Sequence, residues 1–399
     1  MSSLNATPRA NRFHIIFLGC RNAGKSSLMN AIAGQEVSLI SPVPGTTTDP
    51  VYKAIELPSL GAVELIDAPG WDDIGELGKM RVEAARKVLR RADAAVLVVD
   101  ATIGMSRFDC ELLKMLNAGA IPFVPVLNKC DQGSYGEGVC ANPEGAIRIS
   151  AKSGEGLSEL IAALSRLAVS ENRSLLPDGI LAGALAVLVT PIDSSAPQGR
   201  IILPQQQVLR ELLDASAASL VVQPDGLKSA LDSLNRAPDI VIVDSQCFAQ
   251  VEKILPKSMP LTSFSILFAA FKGDLSMLVR GAKAIWNLKD GDRVLIAEAC
   301  THVRKEEDIG TVKIPALLKA KTGKRLELTF CRGMDFPEDL DVFSLVIHCG
   351  GCMINRREMM HRLNLLSHTG VAVTNYGICL AELNGILDRC LKCFPANAR

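Results

Sequence analysis

Length, composition and charge set the first limits on this chain. Its 399 residues correspond to roughly two to three domains, each large enough to bury its own core. Basic and acidic residues number 43 each, so no overall positive field favours a nucleic-acid partner. The longest apolar run, Ile180 to Ile192, is too short to span a bilayer, and Met1 to Asn5 lack a signal-peptide profile. We therefore expect a cytoplasmic protein without nucleic-acid or membrane partners.

Residues 14–26 follow the order of a strand, a glycine-rich loop and the start of a helix. In such a loop, glycines let backbone N–H groups curl around phosphates, and the helix N-terminus adds partial positive charge. Lys25 would reach the outer phosphates and the Ser26 hydroxyl would bind Mg²⁺. The residues predicted to bind the nucleotide here are Gly19, Asn22, Ala23, Gly24, Lys25, Ser26 and Ser27.

Three further motifs follow in the order that a GTPase requires. The strand 62–66 leads to Asp67 and Gly70, which would hold Mg²⁺ through water and sense the γ-phosphate. The strand 121–127 leads to the guanine-recognition motif, in which Asp131 can accept hydrogen bonds from N1–H and the 2-amino group. These motifs predict GTP rather than ATP. The residues predicted at the base are Asn128, Lys129, Asp131, Ser150, Ala151 and Lys152.

This part of the chain resembles the translation-factor-like GTPases, and among them the potassium-activated, dimerising kind typified by the tRNA-modification GTPases. The resemblance implies that Asn22, Ser41, Thr46 and the carbonyl of Val43 hold K⁺. It also implies that Thr47 binds Mg²⁺. Oxygen ligands of this type suit a hard cation. The alternative is that Asn22 only braces the loop.

Trp71 follows Gly70, where small Ras-like GTPases place a glutamine that orients water. An indole cannot polarise water, so hydrolysis would depend on Asp72, Asp73, Glu76 or a partner in trans. We expect slow, regulatory hydrolysis. The residues predicted to take part in it are Lys25, Thr47, Asp67 and Gly70.

The rhythm of apolar segments predicts an α/β fold: a P-loop GTPase domain followed by two further α/β domains with mainly parallel sheets. A polar, turn-rich linker after residue 170 separates the first domain from the second. We predict the GTPase domain at 1–170, an α/β domain for association at 178–261 and a further α/β domain at 262–399.

Two short segments of the last domain combine soft metal ligands. Cys300 and His302 follow a strand ending at Ala297, and a second segment follows a strand ending at Ile347. Because ligands collect at the carboxyl ends of parallel strands, we expect one shared site. The residues of the second segment are His348, Cys349 and Cys352.

Cys300, Cys349 and Cys352 would supply three thiolates for a 4Fe–4S cluster. His302, His348, Glu298, water or an exogenous ligand compete for the fourth position. A zinc site with three cysteines and one histidine is the alternative. Twelve cysteines beside a nucleotide motif indicate thiols and metal ligation rather than a disulfide framework.

A GTPase followed by a middle α/β unit and a C-x-H…H-C-x-x-C domain closely resembles the family of FeFe-hydrogenase maturation GTPases. The resemblance covers essentially the whole chain. It implies a homodimeric scaffold or carrier, with an α/β dimerisation domain at 178–261 and an α/β iron–sulfur cluster-binding domain at 262–399. Such a protein would take up a transient diiron subcluster built with radical SAM maturases and deliver it to apo FeFe-hydrogenase. Other readings are a GTP-dependent RNA or ribosome assembly factor with a zinc-binding C-terminal domain, and a redox sensor.

Overall fold

The computed structural model describes two compact units, Met1–Asn172 and Arg173–Arg399. Only the backbone is described at residues 41, 42 and 169. The described residues are 7–34, 41–42, 50–57, 59–70, 83, 85–119, 121–133, 135–169, 173–192, 201–299, 308–333, 336–337 and 339–396.

A seven-stranded sheet forms the centre of the first unit, in the order β2-β3-β4-β1-β5-β6-β7. Strand β3 is antiparallel to both β2 and β4, and the other neighbours are parallel. The strands are β1 (Phe13–Leu18), β2 (Ser41–Pro42), β3 (Val51–Leu57), β4 (Gly61–Asp67), β5 (Ala94–Asp100), β6 (Phe123–Asn128) and β7 (Ile147–Arg148).

Alternation along the central strands places buried apolar side chains on both faces of this sheet. Ile15 and Phe17 belong to one core and Ile16 and Leu18 to another, as expected for a sheet covered on both sides. The helices with described bounds are α1 (Lys25–Gly34), α2 (Arg107–Ala118) and α3 (Leu157–Val169). Ser106 caps α2, and its hydroxyl accepts from the Asp109 amide.

Two four-stranded parallel sheets form the second unit. Their orders are β11-β10-β8-β9 and β13-β12-β14-β15. The first contains β8 (Leu185–Val189), β9 (Ala218–Val222), β10 (Ile240–Val243) and β11 (Leu261–Ser263). The second contains β12 (Arg293–Glu298), β13 (Glu327–Arg332), β14 (Leu345–His348) and β15 (Ala372–Asn375).

Helices surround both sheets of the second unit, and one apolar core extends from Leu175 to Phe394 through both predicted C-terminal domains. The helices are α4 (Leu203–Asp214), α5 (Leu227–Asp232), α6 (Phe248–Ile254), α7 (Phe264–Lys272), α8 (Leu275–Lys283), α9 (Ile314–Thr322), α10 (Arg356–Thr369), α11 (Tyr376–Leu383) and α12 (Leu387–Cys390). The predicted α/β class with mainly parallel sheets is confirmed. The three-domain division stays a prediction.

Two further observations bear on the sequence-based expectations. Among the described residues, no helix has the length and apolar character needed to cross a membrane. Cys110 of α2 and Cys140 form a disulfide, although we expected thiols. The two lie close because Cys140 bridges Met105, just before the helix that carries Cys110.

Candidate functional site

The glycine-rich loop after β1 has the backbone that a phosphate cradle needs. Asn22 and Gly24 have φ values of 62° and 94°, in the left-handed region. Lys25 is buried at the start of α1, and its ammonium donates to the carbonyls of Gly19 (3.0 Å) and Cys20 (2.8 Å). The lysine is therefore held beside the loop, as a group that binds outer phosphates requires.

Ser26 and Asp67, the two described residues predicted to hold Mg²⁺, lie together. The Ser26 hydroxyl donates to Asp67 Oδ2, whereas Asp67 Oδ1 is buried without a hydrogen-bond partner. Burial raises the pKa of Asp67, opposed by the Ser26 hydrogen bond and the Lys25 charge. A buried carboxylate oxygen without a donor fits a hard cation bound at this position.

Asn128 joins the phosphate loop to the segment that is predicted to bind the base. Its Nδ2 donates to the Ala23 carbonyl at 2.9 Å, and its Oδ1 accepts from the Ala151 amide at 3.1 Å. A Cβ on Gly24 would collide with the same Nδ2. The Ser150 hydroxyl donates to Asp131 Oδ1 at 2.8 Å. The separate sequence motifs thus converge on one site.

Asp100, at the end of β5, is a neighbour of this site that the motifs do not identify. It forms an ion pair with Lys129 and accepts from both the Thr102 amide and hydroxyl. Burial opposes ionisation, but these hydrogen bonds prevail and lower the pKa of Asp100. Lys129 itself has a positive φ of 67°, in the left-handed region.

Several predicted site residues lie outside the described part of the chain. They are Val43, Thr46, Thr47, Cys300 and His302, together with Trp71, Asp72, Asp73 and Glu76. Of Ser41 only the backbone is described, in β2. The predicted K⁺ site and the complete set of three cysteines therefore stay predictions.

The strands that precede the two cysteine segments lie side by side. β12 and β14 are parallel neighbours, and Ala297 is in register with His348. The Cys349 amide donates to the Ala297 carbonyl at 2.7 Å, which continues the pairing beyond the end of β14. Both cysteine-containing segments therefore begin at the carboxyl ends of neighbouring strands in one sheet.

Cys349 lies in a site suited to a thiolate. Its Sγ accepts from the amides of Ala299 (3.2 Å) and Gly351 (3.4 Å), which favours negative charge on sulfur. The φ of Gly351 is 61°, so the tight turn of the C-x-x-C segment needs a glycine there. Within the described residues, no three His, Cys, Asp or Glu side chains form a metal-binding group.

His348 uses both ring nitrogens in contacts with the protein. Nδ1 lies 2.7 Å from the Cys349 carbonyl, which only accepts, and Nε2 lies 3.1 Å from Arg362 Nη1, which only donates. These partners assign the neutral Nδ1–H tautomer. Burial, reinforced by the Arg362 charge, lowers the pKa of His348 to about 4. In this arrangement neither nitrogen is available to a metal.

Glu298, the other described candidate for the fourth ligand, is 2% exposed at the end of β12. Its Oε2 accepts from Arg332 Nε at 3.0 Å, and its Oε1 is 3.4 Å from the Tyr376 hydroxyl. A carboxylate has more lone pairs than these two donors use, so its chemistry remains compatible with ligation.

Two buried cations near the C-x-x-C segment were missed by motif reasoning. Arg362 of α10 binds His348, and Lys272 of α7 donates to Gly351 and Ile354 carbonyls. Lys272 is the one charged residue in an apolar helix, which is a signal that the sequence does contain. Arg362 is four residues after Glu358, and that spacing is typical of ordinary surface pairs.

Comparison with known proteins follows the same division of the chain. Residues 14–129 match the family model described as 50S ribosome-binding GTPase. Residues 175–273 match the hydrogen maturase F dimerization domain, and residues 276–393 match the hydrogen maturase F tetramerization domain.

Curated relatives and solved structures resemble part of the chain. The tRNA modification GTPase MnmE of Nitratidesulfovibrio vulgaris is 31% identical over 217 residues, 52% of this chain and 46% of the relative. That of Xanthomonas oryzae pv. oryzae is 36% identical over 163 residues, 40% of this chain and 34% of the relative. The chain thus spans less than half the length of these relatives.

Two solved structures also match part of this chain. The G domain of the T. maritima FeoB iron transporter is 23% identical, with a TM-score of 0.29, over 39% of this chain and 99% of that one. Aquifex aeolicus Era is 20% identical, with a TM-score of 0.32, over 53% of this chain and 92% of that one.

The phosphate loop, the paired Ser26 and Asp67, and the match to a GTPase family model define a P-loop GTPase. The two models that match the second unit are both specific to a single family, and together they cover more than half of the chain. The chain belongs to the hydrogen maturase F family.

Proposed function

We propose that this chain is a hydrogenase-maturation GTPase that holds a 4Fe–4S cluster through Cys300, Cys349 and Cys352. The observation that carries the proposal is the pairing of β12 with β14, which starts both cysteine segments at one sheet edge. When bound, the cluster would supply an iron with an exchangeable fourth position. Family membership supports the maturation role.

In this proposal the protein residues have separate duties around the cluster. Cys349 is held ready as a thiolate by the Ala299 and Gly351 amides. His348 acts as a brace, because its ring ties the Cys349 carbonyl to Arg362. Glu298 and His302 remain the proposed protein candidates for the fourth position.

The proposed cargo is a diiron precursor with carbon monoxide and cyanide ligands, received from radical SAM maturases and delivered to apo FeFe-hydrogenase. GTP binding would time the exchange of partners, because no residue links the nucleotide to the cluster in sequence. Hydrolysis would use Mg²⁺ at Ser26, Thr47 and Asp67, and K⁺ beside Asn22 would stimulate it.

A homodimer through the middle sheet is part of the proposal. Strand β9 forms an edge of that sheet, and its Val221 is 41% exposed. An exposed apolar edge strand favours pairing with a second copy. Val221→Lys should then shift the sedimentation coefficient towards the monomer, whereas an unchanged coefficient would contradict this edge as the interface.

A transfer assay tests the function itself. The chain, reconstituted anaerobically and loaded with a synthetic diiron complex, should activate purified apo FeFe-hydrogenase. Cys349→Ser should lose this activation, and Cys247→Ser, which alters a buried cysteine of the middle sheet region, should retain it. Equal activation by both variants would contradict the proposal that the chain carries the diiron precursor. One zinc per chain with specific RNA binding would instead favour the assembly-factor alternative.

A further inference from the structure

Lys272 is buried, although a lysine ammonium is normally solvated. It is the last residue of α7, a helix otherwise composed of apolar residues and one serine, and it is 2% exposed. Removing an ammonium from water costs several kcal/mol unless protein groups replace the lost solvation. The position therefore calls for a compensating environment.

The C-x-x-C segment supplies part of that environment. Lys272 Nζ donates to the Gly351 carbonyl at 3.1 Å and to the Ile354 carbonyl at 2.8 Å, so its two acceptors flank Cys352 on both sides. The Phe268 ring centroid lies 5.5 Å from the same nitrogen, within cation–π range. One side chain thus fixes the backbone on either side of a predicted ligand.

A second cation makes the reverse connection. Arg356, at the start of α10, places Nη1 3.4 Å from both the Phe271 and Gly273 carbonyls at the end of α7. Lys272 therefore reaches from α7 to the C-x-x-C segment, and Arg356 reaches from α10 back to the end of α7. These contacts join the segment matched as a dimerization domain to the segment that carries the C-x-x-C motif.

Lys272 forms no ion pair with a carboxylate among the described residues. The neighbouring groups that favour its protonated form are Cys352 and Cys349. Burial lowers the pKa of Lys272 to about 8, and these two cysteines oppose the shift. A buried positive charge beside the C-x-x-C segment would balance the negative charge of a metal–sulfur group bound there.

We propose that Lys272 is a positioning residue that holds the C-x-x-C segment in its ligating geometry and places a compensating charge beside the cluster. The inference rests on the proposed function, because it needs a cluster at Cys349 and Cys352. It adds a role for α7: a change in the middle domain that moves this helix would alter both the geometry and the charge at the cluster.

Three substitutions separate the two parts of this role. Lys272→Met removes the charge and the donors, Lys272→Gln keeps N–H donors without charge, and Lys272→Arg keeps both. Lys289→Met is the matched control, because Lys289 is exposed and precedes the opposite end of β12. After anaerobic reconstitution of the full chain, iron and sulfide content, the EPR spectrum and the midpoint potential are measured.

Loss of a nearby cation disfavours the more negative, reduced cluster, so Lys272→Gln should lower the midpoint potential. A tenfold change in the redox equilibrium corresponds to about 59 mV for one electron. Lys272→Met should in addition lose iron and alter the EPR line shape, whereas Lys272→Arg and Lys289→Met should match the wild type. Should Lys272→Met fail to fold, the midpoint potential of Lys272→Gln still tests the role of the charge.

Wild-type potential and iron content in Lys272→Gln would overturn the charge role, and wild-type behaviour in both neutral variants would overturn the inference. A wild-type chain that binds no iron would instead overturn the proposed function. The two failures are therefore distinguishable by the wild-type measurement alone.

Discussion

Arg362 Nη1 donates to His348 Nε2 across 3.1 Å, and both side chains are almost completely buried. The same guanidinium binds Glu358 Oε1 at 3.0 Å and the Gly333 carbonyl at 3.1 Å, and it lies over the Phe336 ring. This arginine therefore links α10 to β14 and to the turn after β13. Through His348, which contacts the Cys349 carbonyl, it also supports the C-x-x-C segment.

Arg362→Met should destabilise the second unit by about 3–5 kcal/mol, because it leaves the buried Glu358 carboxylate and other buried acceptors without their donor. Arg280→Met, on the exposed face of α8, should change stability by less than about 0.5 kcal/mol. Urea unfolding followed by Trp286 fluorescence in a Trp71→Phe background measures both. Equal midpoints for the two variants would contradict the bracing role.

Gly24→Ala should weaken nucleotide binding at least tenfold. The added Cβ would collide with the Asn128 amide, and the φ of 94° is unfavourable for any residue with a side chain. Gly34→Ala is the control, because a Cβ there meets no atom within 4 Å. Titration with fluorescent GDP measures the affinities. Unchanged binding in Gly24→Ala would show that Asn128 does not set the loop geometry.

Asp131→Asn should exchange guanine for xanthine specificity. The carboxylate accepts from N1–H and the 2-amino group, whereas an amide can donate to the 2-oxo group that xanthine carries instead. We expect GTP affinity to fall by at least about tenfold and XTP affinity to rise. Asp178→Asn, on the segment after the GTPase unit, should leave both affinities unchanged. Retained GTP preference in Asp131→Asn would exclude Asp131 from base recognition.

His14 makes the stability of the GTPase unit depend on pH. Burial opposes its protonation, but hydrogen bonds and charge from Asp93 and Glu64 prevail and raise the pKa of His14 above 6.5. The stabilisation is therefore fully present below pH 6.5 and is lost as pH rises through the folded-state value. Hydrogen exchange of the β1 amides should show weaker protection at pH 8.5 than at pH 6, after correction for intrinsic exchange rates.

His14→Gln should reduce this pH dependence of protection, because the variant cannot take up the proton. His368→Gln, near the end of α10 in the other unit, serves as the control and should behave like the wild type in β1. A variant at position 14 that keeps the full pH dependence would place its source elsewhere.

Strands with continuous apolar runs were predictable from sequence. β8 and β10 are apolar runs next to clear turns, which is the pattern that predicts a buried strand. Patterning does not reveal β11, which has three residues and leads directly into α7. Because α7 is apolar on all sides, its sequence lacks the alternation of polar and apolar residues from which a helix is usually predicted.

The site was predictable where motifs name residues and less so where packing decides roles. Motif order named Ser26, Asp67 and Asn128, and in the structure Ser26 contacts Asp67 and Asn128 contacts Ala23. Spacing alone placed His348 among possible ligands. Its partner Arg362 is fourteen residues away on another element, and only tertiary structure brings the two nitrogens together.

Metal and sulfide analysis of the anaerobically reconstituted full chain, together with EPR of the reduced protein, would show whether Cys300, Cys349 and Cys352 hold a 4Fe–4S cluster. We expect about four iron and four sulfide per wild-type chain, with a reduced 4Fe–4S signal that is lost in Cys300→Ser, Cys349→Ser and Cys352→Ser. Cys390→Ser should retain the signal. A colourless protein with one zinc per chain, or a cluster unaffected by these three substitutions, would contradict the proposed cluster site.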